Sequence, residues 1–133
     1  MILWLFRTQI KAMYGCQQNL INPDDNLKAI FEFICSESHK LTNCGIYYAR
    51  QIYSKTRKII GKYDLEVEYK AKKHYQALYY QGAQQILRSV FESFKSSQEL
   101  TKLYFQCQIE NKPKVPTYRK KVVCLELTIP KKP

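Results

Sequence analysis

The residues best suited to chemistry in this chain form a basic segment between residues 111 and 121. The segment holds five basic residues, two prolines and one tyrosine, and it contains no acidic residue. Fixed cations along an extended path suit phosphate groups, and prolines keep a segment extended at low entropic cost. A tyrosine among cations can stack on an unpaired base. The alternative is a solvated charged loop. We expect these residues to contact nucleic acid: Lys112, Lys114, Tyr118, Arg119, Lys120 and Lys121.

Two further groups of cations lie in regions with helical patterns. The whole 133-residue chain carries a formal net charge of +11, which favours an anionic partner, either nucleic acid or a membrane surface. Each group is also compatible with an ordinary solvated helix face. Together with the basic segment they are expected to line one groove. They are Lys55, Arg57, Lys58 and Lys62, and then Lys70, Lys72 and Lys73.

Signals for other chemistry are weak. The five cysteines are widely spaced and include no Cys-x-x-Cys pair, which argues against a zinc ribbon and favours reduced thiols. His39 and His74 have no acidic residue at a spacing typical of a general base. Asp24, Asp25 and Glu32 are metal-ligand candidates, but helix capping explains them better. We therefore expect no metal, no cofactor and no catalytic residue.

The hydropathy pattern argues against membrane insertion. The apolar run from residue 1 to residue 6 ends at Arg7, which is too short for a membrane-spanning helix or a secretory signal. The sequence predicts a soluble, cytoplasmic protein with no membrane partner.

Helical periodicity dominates the middle of the chain. A helix is expected to start at Asp24 and Asp25, and its apolar face includes residues 27, 30, 31, 34 and 35. The stripe continues through residues 41–52, with Gly61 as an expected C-cap. Asp64 is expected to cap a second helix that runs to residue 78. A third helix is expected from Gln81 to Tyr104.

Two short segments outside the helical region have strand patterns. Residues 14–21 are a candidate strand, and residues 122–129 alternate apolar and polar side chains as a half-buried strand does. The prolines exclude a helix between residues 111 and 121. The predicted order is strand, helices, extended basic segment and strand.

Three stretches resemble one known family, the TnpB-type (OrfB) transposases, which are RNA-guided nucleases of insertion sequences. Residues 41–51, LTNCGIYYARQ, are similar to an asparagine-containing long helix of that family. Residues 74–78 and 83–87, HYQAL and AQQIL, are similar to its next block. Residues 112–121, KPKVPTYRKK, are the most specific match because the prolines, the tyrosine and the basic residues have the same spacing as in the family's motif. The similarity covers residues 13–133, and Met13 resembles the usual start.

The resemblance implies a wedge β-barrel interrupted by a helical insert that grips guide RNA and target DNA. The family's nuclease domain, with its metal-binding carboxylates and zinc ribbon, would follow the region seen here. Gly82 departs from the family pattern, which favours an apolar helix former. Since no residue matches a catalytic motif of the family, the resemblance implies DNA or RNA binding without DNA cleavage.

The expected fold class is α+β, mainly α, with a helical recognition bundle inserted between strands of an incomplete wedge β-barrel. Residues 1–12 are a prefix, 13–22 a wedge strand, 23–110 the helical insert, and 111–133 the basic segment and a wedge strand, truncated before the nuclease domain. The expected function is nucleic-acid binding by a truncated transposase-like protein that is not an enzyme. The alternatives are an interaction protein that modulates a full-length transposase and a small stand-alone DNA-binding protein.

Overall fold

The computed structural model describes residues 22–120, and this part of the chain is helical. A long first helix is followed by two short helices and a second long helix, and residues 112–120 then lie without regular secondary structure. The helices are α1 (Asp25–Thr56), α2 (Lys62–Tyr69), α3 (Lys73–Gln76) and α4 (Tyr80–Phe105).

Helix α1 begins where the sequence predicts. The Asp24 side chain accepts a hydrogen bond from the Leu27 amide at 2.9 Å, so Asp24 is the N-cap of the helix. The helix ends at Arg57, which adopts a left-handed conformation with φ of 58°. The prediction that Gly61 ends this helix is wrong, because Gly61 is the N-cap of α2.

The predicted second helix is also wrong in its extent. Asp64 lies in the first turn of α2 rather than at its cap, and residues 70–72 form a turn between α2 and α3. Helix α4 confirms the third predicted helix to within one residue at each end.

Helices α2 and α3 run opposite to the two long helices. The Tyr69 hydroxyl donates to the Cys44 carbonyl, and His74 contacts Glu37, so α2 and α3 run antiparallel to α1. Arg88 of α4 contacts Glu66 of α2, and α4 follows α3 directly. Helix α4 therefore returns in the same direction as α1.

The core lies where α1, α2 and α4 meet. Leu41, Leu65 and Leu87 are fully buried, one from each of these helices. Gly45 permits the close approach of α1 and α4, since a Cβ atom at this position would lie 3.3 Å from Leu87 Cδ2. Burial from water of these apolar side chains is the main favourable term in folding.

The apolar face of α1 extends past this core. Its first three turns carry Leu27, Ile30 and Phe31 on the same side as the buried Leu41, yet these three side chains are exposed. The sequence predicts one continuous apolar face, and only its part from residue 34 onward packs against the other helices.

The predicted α+β class, with a helical bundle between strands of an incomplete wedge β-barrel, is wrong for the chain the structure describes. Residues 22–120 contain helices and no strand. The physical reason is that the backbone of residues 114–119 bonds to side chains of α1 and α4 rather than to a neighbouring strand. The strand expected over residues 13–22 lies outside the described residues except for residue 22, which has no regular secondary structure, and the strand expected over residues 122–129 lies outside them altogether.

Within the same range, none of the helices is both long enough and apolar enough to cross a membrane.

A buried carboxylate joins α3 to α1. Glu37 is 6% exposed and accepts hydrogen bonds from Lys40 Nζ at 2.8 Å and from His74 Nδ1 at 2.6 Å. The bond from Lys40, followed by the bond from His74, holds the pKa of Glu37 below its ordinary value, although burial opposes this. His74 thus has an acidic partner 37 residues away, which no local spacing indicates.

We predict that Gly45→Val lowers the free energy of unfolding by about 1–3 kcal/mol, because the added methyl groups overpack the α1–α4 contact. The matched control is Gly82→Val, where a Cβ atom meets nothing within 4 Å. This control should change the free energy by less than about 1 kcal/mol. Urea denaturation of both variants measures the difference, and equal effects would contradict the packing described for Gly45.

We also predict an acid-dependent loss of stability that depends on Glu37. Its pKa is lower in the folded chain than in the unfolded chain, so the stabilisation is complete above the unfolded value and is lost as the pH falls through the folded one. Glu37→Gln should make the decline in unfolding free energy below about pH 5 shallower. Glu99→Gln is the control, because Glu99 forms an exposed pair with Lys102. An unchanged decline in the Glu37→Gln chain would refute the assignment.

Candidate nucleic-acid interface

The basic segment is attached to α1 through its backbone. The Arg119 amide donates to Asn43 Oδ1 at 2.9 Å, and Asn43 Nδ2 donates to the Arg119 carbonyl at 3.1 Å. His39 Nε2 donates to the same carbonyl at 3.0 Å. One amide side chain therefore satisfies both backbone groups of Arg119, as a partner strand would in a sheet.

Two more side chains, those of Arg50 and Ser97, anchor the segment by bonding to its backbone at residues that precede Arg119. Arg50 Nη1 donates to the Pro116 carbonyl at 2.9 Å, and its guanidinium lies over the Tyr118 ring, 5.7 Å from the centroid. Ser97 of α4 donates to the Lys114 carbonyl at 3.1 Å. Val115, between these anchors, packs against the hydrophobic core.

The anchors on α1 follow from helical spacing. His39, Asn43 and Arg50 are separated by four and seven residues, and at about 100° per residue they fall within about 40° of one another. Asn43 contacts Arg119, whereas Arg50, which comes later in α1, contacts Pro116, which comes earlier in the segment. The segment therefore runs antiparallel to α1 along one polar stripe.

The cations of the segment remain exposed because the anchors bond to its backbone. Lys112, Lys114, Arg119 and Lys120 are exposed. Within residues 22–120, none of these four forms an ion pair. Lys40, Lys72, Arg88 and Lys102, by contrast, are each paired with a glutamate.

The lysines between α2 and α3 lie beside a different part of α1 from the basic segment. Lys70, Lys72 and Lys73 lie at the turn between α2 and α3, which pack on the side of α1 that carries Glu37 and Cys44. This side is about 140° around α1 from the stripe that holds the basic segment. These three lysines therefore follow elements that pack on a different side of α1 from the segment.

The remaining group lies near the C-terminal end of α1. Lys55, Arg57 and Lys58 follow Arg50, which contacts the segment, and Lys62 lies with its Nζ 4.8 Å from the Tyr63 ring centroid. Lys121 lies outside the described residues.

Sequence reasoning missed the residues that hold the segment in place. His39, Asn43, Arg50 and Ser97 contact residues 17 to 80 positions away, so no local motif contains both partners. The available signal was the row of three polar side chains at His39, Asn43 and Arg50, opposite the apolar stripe of a predicted helix. A row of this kind is ordinarily solvated and does not by itself identify a partner.

Among the residues that the structure describes, no group of three or more His, Cys, Asp or Glu side chains is arranged to hold a metal ion. In comparisons with known proteins, no family model, no curated protein and no solved structure matches this chain.

We predict that Asn43→Leu accelerates hydrogen exchange at the Arg119 amide, because this amide loses its acceptor. Asn43→Asp is the matched variant, since a carboxylate still accepts from the amide but cannot donate to the carbonyl. It should therefore preserve more of the protection than Asn43→Leu does. Amide-resolved exchange by NMR measures both variants. Identical exchange in the unaltered chain and in Asn43→Leu would show that the hydrogen bonds between Asn43 and Arg119 do not form in solution.

Proposed function

We propose that this chain binds nucleic acid through the phosphate backbone, with the basic segment as the principal contact surface. The observation that carries the proposal is that the backbone of the segment is bound to the helices while its cationic side chains are not. Its backbone is fixed by Asn43, Arg50 and Ser97, while its cations are exposed and unpaired within the described part of the chain. A fixed path of cations is the arrangement that phosphates bind at low entropic cost.

The distribution of charge supports the same conclusion. Between residues 24 and 110 there are 13 basic and 10 acidic residues, a net charge of +3. Between residues 111 and 120 there are four basic residues and no acidic ones, a net charge of +4. Ten residues therefore carry more net charge than the 87 before them, which directs an anionic polymer toward the segment.

The resemblance to TnpB-type transposases supports a nucleic-acid partner of the guide-RNA or target-DNA kind, in the cytoplasm. The proposed role is binding alone, with no catalytic step assigned to any residue. The alternative is an interaction protein that acts on nucleic acid only together with a full-length transposase. This alternative predicts that the chain alone does not bind RNA or DNA.

We predict that replacing three cations of the segment reduces the salt dependence of binding. The variant is Lys112→Gln, Lys114→Gln and Lys120→Gln together, tested with structured RNA by fluorescence anisotropy at several salt concentrations. Each lysine that neutralises a phosphate contributes about 0.7–0.9 to the slope of log affinity against log salt, so the slope of the triple variant should be smaller by about 2–3.

The matched control is Lys70→Gln, Lys72→Gln and Lys73→Gln, which removes the same charge from the opposite side of α1. It should retain the slope of the unaltered chain. Equal slopes for the two triple variants would show that net charge, rather than the basic segment, determines binding. Binding that requires an added full-length transposase would favour the interaction protein instead.

A further inference from the structure

The Arg50 side chain makes two contacts with the basic segment. Its guanidinium donates to the Pro116 carbonyl and covers the Tyr118 ring. The backbone on the other side of Tyr118 is held by Asn43, which bonds to both backbone groups of Arg119. Tyr118 therefore lies among exposed cations on a stretch of chain that is anchored both before and after it.

The ring is nevertheless open to solvent. Tyr118 is 50% exposed, and Arg50 occupies one of its faces. The exposed half of the residue is accessible to a ligand. Arg119 and Lys120 follow immediately, and both are exposed.

We propose that Arg50 and Tyr118 form a stacking platform for an unpaired nucleotide base, with Tyr118 as the contact and Arg50 as its positioning residue. This inference rests on the proposed function and specifies its ligand, a single-stranded segment of RNA or DNA. Bases stack on aromatic side chains in single-strand binding sites while neighbouring cations contact the phosphates. The phosphates of a duplex can contact the cations, but a duplex offers no free base face to the Tyr118 ring.

A stacking contact is stronger when the Tyr118 ring is already held in place before the base binds. An exposed tyrosine on a mobile loop loses side-chain and backbone freedom when it stacks, and that loss weakens binding. Here the cation–π contact with Arg50 and the backbone bonds of Pro116 and Arg119 have already restricted the ring. Arg50 therefore acts on specificity without touching the nucleic acid.

The test compares three probes with the full chain: a polyuridylate strand of about 12 nucleotides, an RNA duplex of similar length, and an abasic strand with the same phosphates. Tyr118→Ala should weaken binding to the polyuridylate strand by about 5- to 150-fold, the range expected for removing one stacked base. Binding to the duplex and to the abasic strand should change less than about twofold, and the salt slope should stay the same, since no cation is removed.

Two further variants separate stacking from structure. Tyr118→Phe keeps the ring and should restore binding to the polyuridylate strand. Arg50→Gln should weaken binding to that strand and leave the salt slope unchanged. If Arg50 instead contacted a phosphate, the slope would fall by about 0.7–0.9. Tyr79→Ala removes a ring of similar exposure, 59%, from the turn before α4, and it should bind all three probes as the unaltered chain does.

The outcomes distinguish this inference from the proposed function. Equal weakening of all three probes by Tyr118→Ala, or no weakening of any, would overturn the stacking platform while leaving phosphate binding intact. Failure of the unaltered chain to bind any of the three probes would overturn both.

Discussion

The packing of the basic segment on α1 depends on side chains that replace a missing strand partner. A segment with two prolines cannot continue a helix, and its carbonyl groups still require hydrogen-bond donors. Asn43 and Arg50 of α1 and Ser97 of α4 supply those donors. Because the anchors bond to the backbone, the lysine and arginine side chains of the segment stay in solvent. The exposure of its cations is therefore a consequence of how the segment is held.

Helix α1 is the element on which everything else packs. One side of it faces α2 and α3 through Cys44 and Glu37, and an adjacent side meets α4 at Gly45. A third side carries the polar stripe for the basic segment. A helix can serve three neighbours only if its length and rotation are fixed, and the cap at Asp24 and the buried Glu37 contribute to both.

The start of α1 and the extent of α4 could be predicted because their signals are local. The cap at Asp24 and the 3.6-residue period of residues 83–94 are contained within a few turns, and the structure agrees with both. The predicted α+β class depended on strands at residues 13–22 and 122–129 and on the resemblance to a family with a wedge barrel, whereas residues 22–120 contain no strand and the basic segment packs on helices. Its true partners are side chains 66 to 76 residues away in the sequence, at Arg50 and Asn43. Long-range bonds of this kind follow from the packed helices and leave no pattern in the segment itself.

The same long-range bonds show that a count of cations does not say which of them the fold leaves free. Arg50 has the charge of a phosphate ligand, but its guanidinium is occupied by the Pro116 carbonyl and the Tyr118 ring. Lys72 belongs to a basic cluster in the sequence, yet it lies near Glu68 on the far side of α1. A cation is available to a nucleic acid only when the fold leaves its side chain unpaired and on the right face. Within residues 22–120, Lys70 and Lys73 are exposed and unpaired like the cations of the basic segment, so it is their position around α1, and not pairing, that separates them from it.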